Sequence, residues 1–353
     1  MEIFASILMD HAARYPVMAP RDAVKLCYQA EFGGGHLITD AEASLARLGA
    51  ESSALGSTGG PLFEPIGNGM ARLHLGAIGT VPELRTVNAA FVYSAAAHKG
   101  TQPGLIARLR TLESVCAAGR MPFDAEALGA YLAQYRANRY PMVSHSDAYR
   151  EAYNPAYRVV LSRFEALWPV LKGIDEVVAQ KGRALVAIDG RCGAGKTTAG
   201  ELLKAIYGAN LYHMDDFFLR PVQRTPERYQ EPGGNVDRER FGDEVWGPLR
   251  TGTAFSYRPF DCSTFELAAP VMVSPKTVEI VEGSYALHPD LRDAYDVKVF
   301  ADIDRETQFA RILERNGEAM HQRFIKEWIP MEERYFDACN IGPWCDFVVR
   351  MCQ

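Results

Sequence analysis

Eight consecutive residues, Gly190-Arg191-Cys192-Gly193-Ala194-Gly195-Lys196-Thr197, carry the spacing G-x-x-x-x-G-K-T. Glycines so placed let backbone N–H groups converge on phosphate oxygens, and a helix start just behind them adds its own unpaired donors. Lys196 would lie along the terminal phosphates, the Thr197 hydroxyl would ligate Mg²⁺, and Thr198 completes the nucleotide-binding stretch. A chance glycine-rich turn is the competing reading. The flanks oppose it: residues 184–189 form a short apolar run of strand formers, and 197–207 place Leu202, Leu203 and Ile206 on one helical stripe. Strand, glycine loop and helix in that order imply binding of a nucleoside triphosphate.

A phosphate loop does not choose among kinase, GTPase and motor ATPase, so the remaining acids and bases must. No N-K-x-D motif, no D-x-x-G switch after a third strand and no ABC-type signature is present. The segment Tyr212-His213-Met214-Asp215-Asp216-Phe217-Phe218 instead ends the second expected strand on two acids. Phosphoryl transfer to an alcohol needs a carboxylate to orient the hydroxyl and accept its proton, and cations to balance developing charge. The alternative for Asp215 and Asp216 is a turn or helix N-cap pair.

At these residues the chain resembles the uridine kinase-like family, which also contains phosphoribulokinase and bacterial pantothenate kinase. Uridine kinases carry D-S-F-Y here, and its aspartate is their proposed base. The resemblance puts that role on Asp215, with Asp216 where serine is usual. Gly233-Gly234-Asn235-Val236-Asp237 resembles the family's N-F-D loop, which implies an acceptor contact for Asp237; a helix N-cap at 238–246 explains it equally well. Val281-Glu282-Gly283 resembles the strand ending in E-G, which implies that Glu282 reaches Mg²⁺, partly through water. A buried, unpaired charge at that strand end would otherwise be costly.

In the family, lid arginines fold over the phosphates. Arg311 and Arg315, spaced i,i+4 on an expected helix at 305–316, take that role by resemblance, with Arg323 adding to it. Arginine's planar fork suits phosphate oxygens; a solvated face pairing with Glu306 or Glu314 is the alternative. The chain departs from the family at Tyr257-Arg258-Pro259-Phe260-Asp261-Cys262, where uridine kinases have a histidine- and arginine-bearing segment. Tyr257, Arg258 and Asp261 join Asp237 as acceptor-binding candidates without specifying uridine. Across about residues 184–350, the resemblance implies ATP- and Mg²⁺-dependent transfer of the γ-phosphate to a hydroxyl of a nucleoside or other small alcohol. ATP is the family's donor; no motif here reads the purine. Two other readings stand beside it: a nucleotide-dependent switch whose first half binds a partner, and a bifunctional enzyme with separate chemistry in that half.

The elements that must position these residues alternate. Apolar runs at 184–189, 210–215, 277–282, 297–303 and 347–351 are separated by helical stretches. That grammar implies an α/β P-loop NTPase fold, a parallel sheet with helices on both faces, whose ligands lie beyond the strands' carboxyl ends. Three runs end on acids: Asp189, Asp215 and Glu282. The first half reads as a mainly helical α+β domain, with a boundary near 175 that gives domains 1–175 and 176–353. Helices are expected from Pro20 to the glycines at 33–35, after a capping box at 39–42, at 103–118, at 125–138 and at 155–168; Pro169 precedes a further helical stretch to Gln180. Only 70–78 alternates as a strand, and 51–69 reads as a long loop.

Two clusters in this half could act. Glu31, His36, His74 and His98 could be drawn together as a metal site, although their spacing matches no recognised ligand pattern. Tyr149, Tyr153 and Tyr157 recur every four residues, with His145 and Ser146 ahead of them and Arg150 and Arg158 alongside. That is a packed helical stripe or an anion-binding helix start.

Composition bounds the rest. With 353 residues and a net charge of −6, the chain can hold two cores and has no general pull toward nucleic acid. No apolar run spans a bilayer, and Met1-Glu2-Ile3-Phe4 does not open like a signal peptide. Seven scattered cysteines without a C-x-x-C pair fit a reducing cytoplasm. The expected partner is a small-molecule acceptor, and a homodimer is left open. Cys192, inside the loop, is expected to be protected from alkylation by nucleotide.

Overall fold

The five apolar runs of the second half form one sheet. Its order is Phe347–Val349, Val297–Ala301, Ala184–Gly190, Val278–Glu282, Asn210–His213, and every neighbouring pair is parallel. The computed structural model describes residues 2–35, 38, 40–55, 60–79 and 82–351. By internal contacts the chain divides into two units, Met1–Glu165 and Ala166–Cys352. The division falls in the first turn of the helix Arg163–Lys181.

In the second unit, Ala184–Gly190 and Val278–Glu282 are buried at every position. Continuous apolar runs are what strands covered on both faces require. Register then brings the chemistry to one edge. Gly190 lies opposite Ala301, while Glu282 lies opposite Ile188 on one side and His213 on the other. The helix Lys196–Tyr207 follows the loop directly and buries Leu202 and Leu203. Arg305–Arg323 runs past the expected 305–316, kinks at Gly317 (φ 74°) and passes through a wide turn into Ile329–Cys339. The helix expected at 238–246 forms as Arg238–Phe241 and continues as a wider turn, Gly242–Trp246. Beyond it stand a ribbon, Phe255–Tyr257 with Val271–Val273, and a hairpin, Phe260–Asp261 with Glu266–Leu267.

The first unit packs helices around a three-stranded antiparallel sheet ordered Phe63–Gly67, Met70–His74, Tyr157–Leu161. Its helices are Glu2–Arg14, Pro20–Phe32, Ala41–Ala54, Leu84–Ala97, Gln102–Ala117, Ala125–Ala137 and Asp147–Tyr153. Two expectations are corrected here. The loop at 51–69 holds the strand Phe63–Gly67, and the helix at 155–168 is the strand Tyr157–Leu161 followed by a helix from Arg163. Asn154 in the left-handed region (φ 39°) ends the preceding helix, and Pro155 cannot resume it. The β-branched pair Val159-Val160 then fits a sheet better than a helix. Pro169 does not break Arg163–Lys181. An interior proline costs roughly 3 kcal/mol, and buried Phe164, Leu167, Val170, Leu171 and Ile174 offset it. Asp40 caps Ala41–Ala54, its side chain accepting from Ala43 N; Thr39, where the capping box is expected to begin, lies outside the described residues. No helix among the described residues is long and apolar enough to cross a membrane.

Candidate functional site

Two glycines shape the loop. Gly190 (φ +134°) approaches the next strand so closely that a Cβ would stand 2.1 Å from the Ala301 carbonyl oxygen. Gly195 (φ +90°) turns the chain into the helix Lys196–Tyr207, whose first-turn N–H groups then have no side-chain cap. Lys196 arches across this cradle, its Nζ donating to the carbonyls of Gly190 (2.7 Å) and Arg191 (3.1 Å).

The underside of the loop is gripped by its neighbours. Asp189 is wholly buried and accepts from the N–H groups of Gly190, Tyr285 and Leu287 and from the Tyr335 hydroxyl (2.8 Å). Of the three acids expected at strand ends it alone is wholly buried, and its partners are all protein donors, so it positions the loop. Loss of water raises its pKa, against the pull of those donors and Lys196. Cys192 N donates to Glu332 Oε2 (3.0 Å), and Ser284 donates to the other oxygen (2.6 Å). The Arg191 guanidinium pairs with Asp302 and Glu333 and lies over Phe336, so Arg191 contributes backbone to the loop's inner face and no free cation.

The expected lid arginines separate. Arg311 donates to the carbonyls of Gly193 (3.2 Å) and Met351 (3.0 Å), bracing the loop from outside. Arg315 is exposed and bonded to Asn316, and Arg323 pairs with Glu327 at 2.9 Å.

On the open side, Thr197 Oγ1 donates to Glu282 Oε1 (3.2 Å), and His213 Nδ1 reaches the same oxygen at 2.5 Å. Glu282 is 4% exposed. This hydrogen bond, more than the loss of water that opposes it, raises the His213 pKa. One residue beyond the strand, the short turn Met214–Phe217 buries Met214 and Phe217 and leaves Asp215 outward. Asp215 is accessible to solvent, yet the protein around it desolvates the carboxylate, and that desolvation raises its pKa. Glu282 and Asp216 push it further up, while Lys196 and His213 pull it down, so these groups share one electrostatic field. Asp216 is raised too, first by desolvation, and receives the Tyr257 hydroxyl at 3.4 Å.

The four acceptor candidates divide. Asp237 N donates to Phe217 O (2.7 Å), and its carboxylate caps Arg240 N while accepting from Gln223 (2.8 Å). It is thus a buried helix cap under the Asp215 turn. Tyr257 packs there as well, stacked on Phe217. Arg258 donates to the carbonyls of Ala268 and Leu267, and Asp261 accepts from Ser263 N–H and O–H. Both are committed to closing the hairpin. Sequence reasoning missed His213 and Glu332. His213 precedes Asp215 by two in the run expected as a strand, a spacing that would share a face and could have flagged it, although the strand itself ends at His213. Glu332 lies 140 residues from Cys192 in the chain, and no local pattern signals its contact with the loop.

In the first unit the proposed metal set does not assemble. Glu31 accepts from Thr101 and Arg108, His98 bonds the Glu31 carbonyl, and His74 faces Glu64 at 3.5 Å. His36 lies outside the described residues, among which no metal-suited cluster of His, Cys, Asp or Glu occurs. The anion expected at the start of the tyrosine helix is supplied by the chain. Asp22 accepts from Ser146 N (2.9 Å), Ser146 Oγ (2.6 Å) and His145 Nδ1 (2.9 Å). Tyr157 leaves the stripe for the sheet, where its hydroxyl meets His145 Nε2 at 2.6 Å. Arg158 pairs with Glu51 (2.7 Å), and Arg150 lies 4.0 Å from Asp147.

The parallel sheet, its glycine loop and the acids beyond the strands define a kinase-like P-loop fold related to nucleoside and small-molecule kinases. No family model matches the chain. The uridine kinase of Staphylococcus haemolyticus (strain JCSC1435) is 30% identical over 170 residues, covering 43% of this chain and 81% of that protein. The uridine kinase of Staphylococcus aureus (strain JH9) is 29% identical over 174 residues, covering 44% and 83%. The matched part of the chain belongs, as a distant relative, among the uridine-kinase-like P-loop kinases. A solved structure of a possible uridine kinase from Bacillus stearothermophilus aligns with 51% of this chain and 99% of that chain, at 19% identity and a TM-score of 0.39.

Proposed function

We propose that the second unit transfers the γ-phosphate of ATP to a hydroxyl of a small alcohol in the cytoplasm, with Mg²⁺. The observation that carries this reading is the hydrogen-bonded set Thr197–Glu282–His213 beside the glycine loop, with Asp215 accessible in the turn that directly follows His213. A regulator that only senses nucleotide has no use for a proton-accepting acid at that place.

The donor set fits the groups it would hold. The cradle has no room for a Cβ at Gly190, and loop N–H groups with Lys196 would take the β- and γ-phosphates. Thr197 and Glu282 offer the hard oxygen ligands that Mg²⁺ prefers. Bound there, Mg²⁺ would neutralise charge on the phosphate oxygens. Asp215, made more basic by its surroundings, orients the acceptor hydroxyl and takes its proton as the oxygen bonds to the γ-phosphorus. The bond from that phosphorus to the β,γ-bridging oxygen breaks, ADP leaves, and Asp215 returns its proton to water. His213, bonded to Glu282, fixes that carboxylate beside Thr197. Arg315 and Arg323, on the surface of the kinked helix, are the side chains left to cover the transfer; Arg311 supports the loop.

The test is incubation with γ-labelled ATP, Mg²⁺ and pooled acceptors: nucleosides, pantothenate, sugars, sugar phosphates and hydroxy amino acids. Label moving onto one acceptor, and lost in Asp215→Asn, supports the reading. Label released only as phosphate, whatever is added, overturns it in favour of a nucleotide-dependent switch.

A further inference from the structure

The acceptor side of Asp215 carries a cation that the fold holds in place without neutralising. Arginines crowd the stretch after the Asp215 turn, and most meet an acid. Arg228 pairs with Glu231 and Glu239, Arg238 with Glu231, Glu239 and Asp290, and Arg240 with Asp237 and Glu244. Arg220 stands 3.8 Å from Asp237. Arg224 has no carboxylate partner among the described residues. Its Nε donates to the Leu219 carbonyl (2.9 Å), and its guanidinium lies over Phe260 (5.8 Å) and Phe265 (5.2 Å). Those rings meet edge to face at 6.5 Å. Phe265 is half exposed at a positive φ (60°), so its ring covers Arg224 where a soluble protein gains little from showing phenylalanine to water.

Position ties this arginine to the candidate base. The hairpin strand Phe260–Asp261, whose Phe260 ring lies under the Arg224 guanidinium, packs against the turn Met214–Phe217 that holds Asp215. A guanidinium pinned by one carbonyl and two aromatic faces has already lost its rotamer freedom, so a ligand meets a preorganised fork. The fork's planar geometry matches a carboxylate or a phosphate monoester.

We infer that the acceptor is an anionic alcohol, bearing a carboxylate or a phosphate monoester, and that Arg224 is the residue that selects it. The inference rests on the kinase reading above and narrows it: an uncharged nucleoside would leave the Arg224 fork without a partner.

The experiment has two arms. In the first, matched alcohols are compared as acceptors with γ-labelled ATP: ribose with ribose 5-phosphate, and pantothenol with pantothenate. The anionic member of a pair should be preferred at least ~10-fold in kcat/KM, and the pair that responds distinguishes phosphate from carboxylate. Arg224→Gln should raise the acceptor KM ~10- to 100-fold, in the range of a lost charged hydrogen bond, with kcat and the ATP KM within about twofold. Arg224→Lys should recover part of the loss, and unchanged melting temperatures show that both variants fold. Equal use of neutral and anionic alcohols, or a rise in the ATP KM instead, would overturn the assignment.

The second arm needs no turnover, so it separates this inference from the kinase reading. Ribose 5-phosphate and pantothenate are titrated calorimetrically into Asp215→Asn protein with ADP and Mg²⁺ filling the loop. Saturable binding that Arg224→Gln abolishes supports the anion site even if no label is ever transferred. Binding indifferent to Arg224, or no saturable binding of either anion, overturns it.

Discussion

The two units bury similar polar residues to opposite ends. In the first, Asp22, His145, Tyr157, Gln29, Arg72 and Glu64 form one continuous chain of hydrogen bonds. Tyr15 (2.7 Å) and Arg14 (3.0 Å) close it on Glu64. Burial alone would raise Asp22 and Glu64, but their partners outweigh it: His145 and Ser146 hold Asp22 down at about 2, and His74 and Arg72 hold Glu64 low. In the second unit, Asp215 and Asp216 are raised, because desolvation there is not matched by donors. An acid held down serves as a counter-ion inside a fold, while a raised acid open to solvent is ready to take a proton; Asp189, raised too, is sealed off by protein donors. Residue type and burial are therefore poor guides to function until it is known where each donor and acceptor ends.

The largest effect should come from the open cluster. Asp215→Asn is expected to lower turnover by about 10²–10⁴-fold, the usual worth of a positioned base, with ATP affinity by titration nearly unchanged. Normal turnover in that variant would erase the distinction between the two clusters. Next comes the closed one. Arg72→Met removes one partner of a buried pair and should cost roughly 3–5 kcal/mol. All four tryptophans, Trp168, Trp246, Trp328 and Trp344, lie in the second unit. Their emission therefore reports that unit, and loss of far-UV circular dichroism before any change in emission reports the first. A cost below about 1 kcal/mol would mean that the network is incidental.

Legibility in the sequence followed the same division. The phosphate loop and the five parallel strands were readable because strand, glycine loop and helix are local patterns. The position of Glu282 beside the loop was readable because a charge at a buried strand end needs a partner, and it meets Thr197 and His213 there. The strand Tyr157–Leu161 was not, because the four-residue recurrence of tyrosines outweighed Asn154 and Pro155, which end the helix. Arg311, Arg258 and Asp261 were given ligand roles because sequence shows a side chain's type and not its partner. Each ends on a backbone group or a neighbouring serine. Asp22 filling the site at Ser146 is a contact across 124 residues, which no local pattern encodes.

Acid should separate the units in order. His11 and His145 are buried and neutral, lowered to about 4, chiefly by loss of water. The unfolded chain takes these protons near pH 6.5 and the folded chain resists until about 4. Their contribution is therefore complete above pH 6.5 and is lost as pH falls through 4, at about 3 kcal/mol each. Asp22 extends the loss, since its contribution holds above its ordinary carboxylate value and disappears as pH approaches 2. His213 has the opposite slope: raised by Glu282, it favours the fold below pH 6.5 and loses that effect as pH rises through its folded value. Circular dichroism should therefore fall between pH 6.5 and 4 while tryptophan emission holds. Emission moving first would contradict the assignment.

The smallest effect tests where the contrast runs inside the second unit itself. The loop's underside is built like the first unit: Asp189 and Glu332 are buried and hydrogen-bonded, and Cys192 is closed in between Glu332 and Gln308. Burial, and then Glu332, raise the Cys192 thiol well above its ordinary value, so the expected protection by nucleotide gives way to protection by the fold. Cys262 is exposed in the hairpin turn. Thiol alkylation follows access and thiolate fraction, so among the cysteines of the described residues iodoacetamide on the native protein should mark Cys262 first in peptide mass mapping. Cys192 should react at least ~10-fold more slowly, with or without ATP. Equal rates, or slowing only when ATP is present, would show that the loop opens in solution, and the boundary between closed and open polar groups would then lie beneath the loop and not across it.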